Sequence, residues 1–145
     1  MQSPEPLAVD RRHYSEKLRI LVVDDDRDTA ETLAFILRDE GHVVLPVYTG
    51  DEALAQARIF RPDVIIADIA LPGMSGYAVA QSVRYAFTDL RRPLMIAISG
   101  VWKQLPDQKV AHQMGFDDYL TKPCDPAALL RLIESFKRSR SRRGD

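Results

Sequence analysis

A single cysteine, Cys124, is all the thiol this chain has, so an internal disulfide framework is excluded and a reducing compartment fits. Nowhere do apolar residues run to the roughly 18–20 that a membrane span requires. The leader carries Glu5, Asp10, Arg11, Arg12 and Glu16 with no apolar core, so it does not read as a secretory signal, and the cytoplasm is the expected location. A net charge of -1 gives the chain as a whole no pull toward a polyanion. His13, His42 and His112 lack the spacing of metal ligands, and none looks like a phosphodonor histidine. There is no internal repeat. What remains, 145 residues with 46% hydrophobic and 28% charged, is the make-up of one globular domain. A domain of that length buries roughly 70% of the surface its unfolded chain exposes, enough to fold without disulfides or metal.

Residues 1–17 are polar, contain Pro4 and Pro6, and have no period, which predicts a flexible leader. From Leu18 onward, short β-rich runs alternate with helical patterns. The runs are Arg19–Val23, Val43–Val47, Val64–Ala67, Leu94–Ile98 and a brief Asp118–Leu120. Between them, Thr29–Glu40 carries Ala30, Leu33, Ile36 and Leu37 on one face and stops at Gly41, a suitable residue just past a helix end. Asp51–Phe60 turns Ala53, Leu54 and Ala57 inward, and Tyr77–Ala86 follows a loop bracketed by Gly73 and Gly76. Pro106 suits the first turn of a helix reaching Met114 and closed by Gly115. Pro126 opens a last helix with a Leu129, Leu132, Ile133, Phe136 stripe. Such βα alternation predicts an α/β fold: one doubly wound, five-stranded parallel sheet with five helices on two faces. The domain is expected over 18–137, followed by a basic flexible tail over 138–145.

Four of these runs end on polar residues of complementary kinds. Leu21-Val22-Val23 leads into Asp24-Asp25, Val64-Ile65-Ile66-Ala67 into Asp68, Ile96-Ala97-Ile98 into Ser99, and Tyr119-Leu120-Thr121 into Lys122-Pro123. In a parallel sheet these tips share one edge, where open α/β sheets place their sites. Singly, each is ordinary: an aspartate after a strand is usually a helix cap, and a lysine is usually a solvated surface group. Together they suit phosphoryl chemistry. Crowded carboxylates repel unless a cation neutralises them, and Mg²⁺ is the hard, oxygen-seeking ion for that task. A carboxylate can itself accept a phosphoryl group, and Asp68, alone at the end of a central strand, suits that role best. Lys122 and Ser99 would contact the phosphoryl oxygens as charge and as donor.

At this point the chain resembles the receiver domain of two-component response regulators. The resemblance is carried by Ile20-Leu21-Val22-Val23-Asp24-Asp25-Asp26, by the stretch from Pro62 to Gly76, by Ile98-Ser99-Gly100, and by the stretch from Gly115 to Pro123. It covers about Leu18 to Phe136. It implies a flavodoxin-like sheet in the order 2-1-3-4-5 that takes phosphate from a histidine kinase or histidine phosphotransfer protein and signals to a downstream protein target. It further implies Asp68 as acceptor and Asp24, Asp25, Asp68 and the carbonyl of Ala70 as Mg²⁺ ligands. Ser99 and Lys122 would read the phosphoryl group, Ser99 and Tyr119 would form the switch, and the Lys122-Pro123 peptide is expected to be cis. Ser99 stands where threonine is more frequent, with the hydroxyl kept. The stretch from Gly100 to Leu105 is slightly long and puts Trp102 in a segment the family moves.

Phe35 falls opposite the core stripe of its helix and is a candidate contact for the phosphodonor; the bland alternative is a lone exposed apolar residue. The basic run from Lys137 to Arg143 lacks interleaved aromatics or a helix-turn-helix, so nucleic acid is not expected as a partner, nor is a membrane. Cys124 reads as small packing. The expected protein is a monomer or weak dimer and not an enzyme, since it acts on no separate substrate. The start at Met1 favours an independent gene product, while the run from Gly115 to Pro126 leans toward receivers of hybrid kinases. The rival from another class is a pseudo-receiver that keeps the fold as an interaction module without being phosphorylated. An aspartate-based phosphohydrolase is disfavoured because Ala70 stands where its second aspartate would be.

Overall fold

The computed structural model describes residues 17–87, 92–100 and 112–142. Its elements are β1 (Arg19–Val23), α1 (Arg27–Asp39), β2 (Val43–Val47), α2 (Gly50–Phe60), β3 (Val64–Asp68), α3 (Gly76–Ala86), β4 (Leu94–Gly100), β5 (Asp118–Lys122) and α4 (Pro126–Arg142). The strands form one sheet in the order β2-β1-β3-β4-β5, every neighbouring pair parallel. That is the expected sheet. Four helices lie among the described residues where five were expected. The helix from Pro106 and Trp102 fall outside them, apart from a last turn at His112 and Gln113, where the Gly115 N–H reaches the His112 carbonyl.

Strand side chains alternate between two faces, so each strand feeds two cores. Leu21, Val23, Ile65, Ala67, Met95 and Ala97 pack against Ala53 and Ala57 of α2 and Val79, Ala80 and Val83 of α3. Ile20, Val22, Val64, Ile66, Ile96 and Ile98 pack against Ala30, Leu33 and Leu37 of α1 and Leu129 and Ile133 of α4. The four described helices are thus sorted two to a face.

Local chemistry moves several expected boundaries. Asp26 caps α1 by accepting the Asp28 N–H, so the helix begins at Arg27 rather than Thr29. Within it Ala34, not Ile36, completes the buried stripe, and Ile36 is half-buried. Gly41 has φ +97, the left-handed turn expected of a residue past a helix end. β4 and β5 run on to Gly100 and Lys122, two residues beyond expectation, because Ser99 and Thr121, then Gly100 and Lys122, continue the parallel register. Likewise α4 continues through Arg142, where a flexible tail was expected from residue 138. Lys137 is buried with its ammonium 3.1 Å from Glu134, and Arg140 reaches Asp63 at 2.9 Å while lying over the Phe136 ring. Leu129 and Ile133 are fully buried in its stripe, Leu132 and Phe136 only partly.

Candidate functional site

β1 is flanked by β2 and β3, and the chain crosses the sheet in opposite senses on either side of it. Loops after β1 and β3 therefore part and leave a crevice at the carboxyl edge. Asp24 and Asp25 follow β1 directly, and Asp68 is the last residue of β3. One carboxylate oxygen from each of the three lies within 4.8 Å of the others. Asp24 and Asp68 are buried; Asp25 is exposed. From the far side, Lys122 at the end of β5 places its ammonium 2.8 Å from Asp68 Oδ2 and 2.9 Å from Asp24 Oδ2. Ser99 is buried on β4, beside Thr121.

The remaining oxygens of the two buried carboxylates are committed to backbone. Asp24 Oδ1 accepts the Asp26 N–H and Asp68 Oδ1 accepts the Ala70 N–H, each at 2.9 Å. These short turns fix both carboxyl planes and leave one oxygen of each aimed into the crevice. Burial raises the Asp24 pKa above its ordinary 3.8, although hydrogen bonds from Lys122 and Asp26 pull it down. Burial also works against the Lys122 ammonium, but its hydrogen bonds to Asp68 and Asp24 win, and its pKa rises above 10.5. The lysine thus gains from a pair in which the carboxyl loses. The 2.9 Å contact is the geometry of an ion pair.

Gly76 holds this arrangement in a way the sequence reading missed by treating it as a loop bracket. It opens α3 directly under the strand end: its N–H donates to the Ile69 carbonyl at 2.9 Å, and a Cβ there would sit 2.4 Å from the Asp68 carbonyl oxygen. Only glycine permits that approach. Nothing in the local pattern distinguishes it from Gly73.

Tyr119 lies two residues before Thr121 on β5, so it shares a sheet face with Ser99. Its ring packs against the α2–α3 core, and its buried hydroxyl has no hydrogen-bond partner among the described residues. Burial pushes the phenol pKa up. Ala70 is exposed beside Asp68, and the Lys122-Pro123 peptide is cis, as expected. Phe35 stands apart from this cluster on α1, 71% exposed. At the start of α1 the Arg27 guanidinium lies 4.0 Å over the Tyr48 ring, whose hydroxyl donates to Glu31, a clasp with no signal in the sequence.

A five-stranded 2-1-3-4-5 sheet with three carboxylates and a lysine at its carboxyl edge defines a class, the flavodoxin-like receivers. Residues 20–134 match the family model described as response regulator receiver domain, and the chain belongs to that family. It is 36% identical over 118 residues to Protein PilH of Pseudomonas aeruginosa, covering 81% of this chain and 95% of PilH. It is also 36% identical over 127 residues to the DNA-binding response regulator MtrA of Mycobacterium tuberculosis, covering 88% of this chain but only 52% of MtrA. Among solved structures it superposes on a CheY-like response regulator receiver domain protein from Methanospirillum hungatei with TM-score 0.78 at 26% identity, covering 88% of this chain and 99% of that one. Two-component signalling is therefore the setting in which this chain works. Among the described residues no helix is long and apolar enough to cross a membrane.

Proposed function

We propose that the chain is a phosphoacceptor switch in which Asp68 takes a phosphoryl group from a histidine kinase or histidine phosphotransfer protein. The observation that carries this reading is the Lys122 ammonium seated between Asp24 Oδ2 and Asp68 Oδ2, in a cluster that also holds Asp25. Three carboxylates against one ammonium leave the crevice two formal charges negative, which suits a divalent cation. The donors are hard oxygens, so the residues fit Mg²⁺. Asp24, Asp25, Asp68 and the Ala70 carbonyl would hold it, and when bound it supplies neutralisation of charge on the transferring group.

In the proposed reaction an Asp68 carboxylate oxygen attacks the phosphorus of a phosphohistidine. The O–P bond forms as the P–N bond breaks, and the electron pair returns to the imidazole. The Lys122 ammonium and the backbone N–H of Ala70 keep Asp68 oriented, so little is lost to reorganisation. Lys122, already in contact with Asp68, would follow the new phosphoryl oxygens, and Ser99 would donate a hydroxyl to them. The unpartnered Tyr119 hydroxyl on the same face suits a side chain that changes position once Ser99 moves. Phe35, on the helix that starts beside Asp24, is the proposed phosphodonor contact. The output is a changed protein surface read by a downstream protein in the cytoplasm, not turnover of a separate substrate.

Incubation with acetyl phosphate and Mg²⁺, followed by intact mass, tests this. One added phosphoryl group on the wild type and none on Asp68→Asn is the expected result. Absence of label on both would favour the pseudo-receiver, and equal label on both would move the acceptor elsewhere.

A further inference from the structure

Past Ile133 the inward stripe of α4 changes character. At the next helical positions on that face, i+4 and i+7, stand Lys137 and Arg140 in place of apolar residues. Both are nonetheless taken into the protein. Lys137 is buried with its ammonium 3.1 Å from Glu134, and half-buried Arg140 reaches Asp63 at 2.9 Å from over the Phe136 ring. Asp63 is itself bonded to the backbone of Arg19, so the end of α4 is tied to the amino edge of the sheet.

His42 is buried at the same edge, after the left-handed turn at Gly41. Its ring joins the entries of two strands: Nδ1 accepts the Leu18 N–H at 3.2 Å, while the Val43 N–H donates to the Leu18 carbonyl at 3.0 Å. The charged groups that act on the imidazole are Lys137 and Glu134 from α4 and Asp63 from the residue before β3.

This setting accepts a neutral imidazole and resists a charged one. With Nδ1 as acceptor the ring proton sits on Nε2, so an incoming proton must go to Nδ1. There it would face the Leu18 N–H, donor against donor, and orphan a buried backbone group. It would also place a second buried cation near Lys137. Glu134 and Asp63 favour the charge, but each already serves a cation, and burial with Lys137 outweighs them.

We propose that the end of α4 is a proton-gated latch: His42 takes a proton only when the segment from residue 137 onward lifts off the amino edge of the sheet, so mild acid releases that segment while the sheet stays folded. The latch uses none of the residues of the phosphoacceptor crevice, so it stands independently of that reading.

Amide hydrogen exchange of the full-length ¹⁵N-labelled chain, corrected for the intrinsic effect of pH on exchange, tests it. Protection at residues 137–140 should lie below that at Ile65 and Ile96 and fall about fivefold over the first pH unit below 6.5. His42→Gln, whose side-chain oxygen can still accept the Leu18 N–H, should abolish that fall. Arg140→Ala should lower the same protection about threefold at every pH, since it removes the tie to Asp63. In the wild type the His42 ring protons should titrate below the ordinary 6.5. Protection at residues 137–140 that ignores pH, that falls equally in His42→Gln, or that is indifferent to Arg140→Ala would overturn the proposal. So would protection there equal to that of Ile65 and Ile96 throughout, or a His42 midpoint at 6.5 with α4 still fully protected.

Discussion

Each edge of the sheet carries a pair of aspartates, and the two pairs are wired differently. At the amino edge, Asp63 precedes β3 and clasps Arg19 of β1 reciprocally: its carboxylate takes the Arg19 N–H at 2.8 Å and its own N–H goes to the Arg19 carbonyl at 2.7 Å. Asp117 precedes β5 and repeats the motif on Met95 of β4, both contacts at 2.8 Å. The second oxygens meet guanidinium groups, of Arg140 at 2.9 Å and Arg92 at 3.4 Å. At the carboxyl edge, Asp24 and Asp68 give only one oxygen to backbone and turn the other toward one flexible ammonium. A carboxylate bound reciprocally to a neighbouring strand can do nothing without breaking the sheet. One held by a lysine can exchange that partner for another ligand at little structural cost. The same residue type is thus locked into the sheet at one edge and left with an exchangeable partner at the other.

Exchange of the lysine should break the comparison most sharply. Lys122→Ala is expected to slow labelling by acetyl phosphate by about 10²–10³-fold, the usual loss when a preorganised charge is removed from a site. Asp63→Asn and Asp117→Asn should leave that rate unchanged, and an equal loss in all three would erase the distinction. Next comes Gly76→Ala, which drives a methyl group into the Asp68 carbonyl. Urea unfolding should show a loss of about 1–3 kcal/mol from overpacking, with labelling also reduced because the strand end must shift.

Asp117→Ala is expected to cost about 1–3 kcal/mol in the same measurement, since it orphans the Met95 N–H, with no change in labelling. The smallest effect concerns His42. It is buried, accepts the Leu18 N–H on Nδ1 at 3.2 Å, and has its pKa held below the ordinary 6.5 by burial first and by Lys137 second. The unfolded chain binds that proton more readily, so stability is full above pH 6.5 and declines as pH falls below it. His42→Gln should flatten the part of the urea midpoint's pH dependence lying just below pH 6.5. An unchanged slope would show that His42 does not titrate across unfolding.

Much of the site was legible because strand tips announce themselves. Val64 to Ala67 is wholly apolar, as a strand covered on both faces must be, and its abrupt end at Asp68 puts a carboxylate at the edge. The acidic cluster follows once the tips share that edge, while the strand order was implied only by the family resemblance. What escaped depended on partners distant in the chain. The tail after residue 137 looks like a solvated Ser/Arg run until Arg140 meets Asp63 and Lys137 buries its stem. Ile36 and Ala34 compete for the inner face of α1, and only the packed structure shows that Ala34 is the one buried. Gly76 matters because a carbonyl from another element passes over it.

Residue order alone therefore determined the alternation of strands and helices, the apolar faces and the polar residue at each strand tip. Those properties are local, set by side-chain period and by which residues end a strand. Tertiary structure decided the oxygens: which face backbone, which face Lys122, and how far apart they stand. Distances between groups many residues apart are products of packing, and no local pattern encodes them.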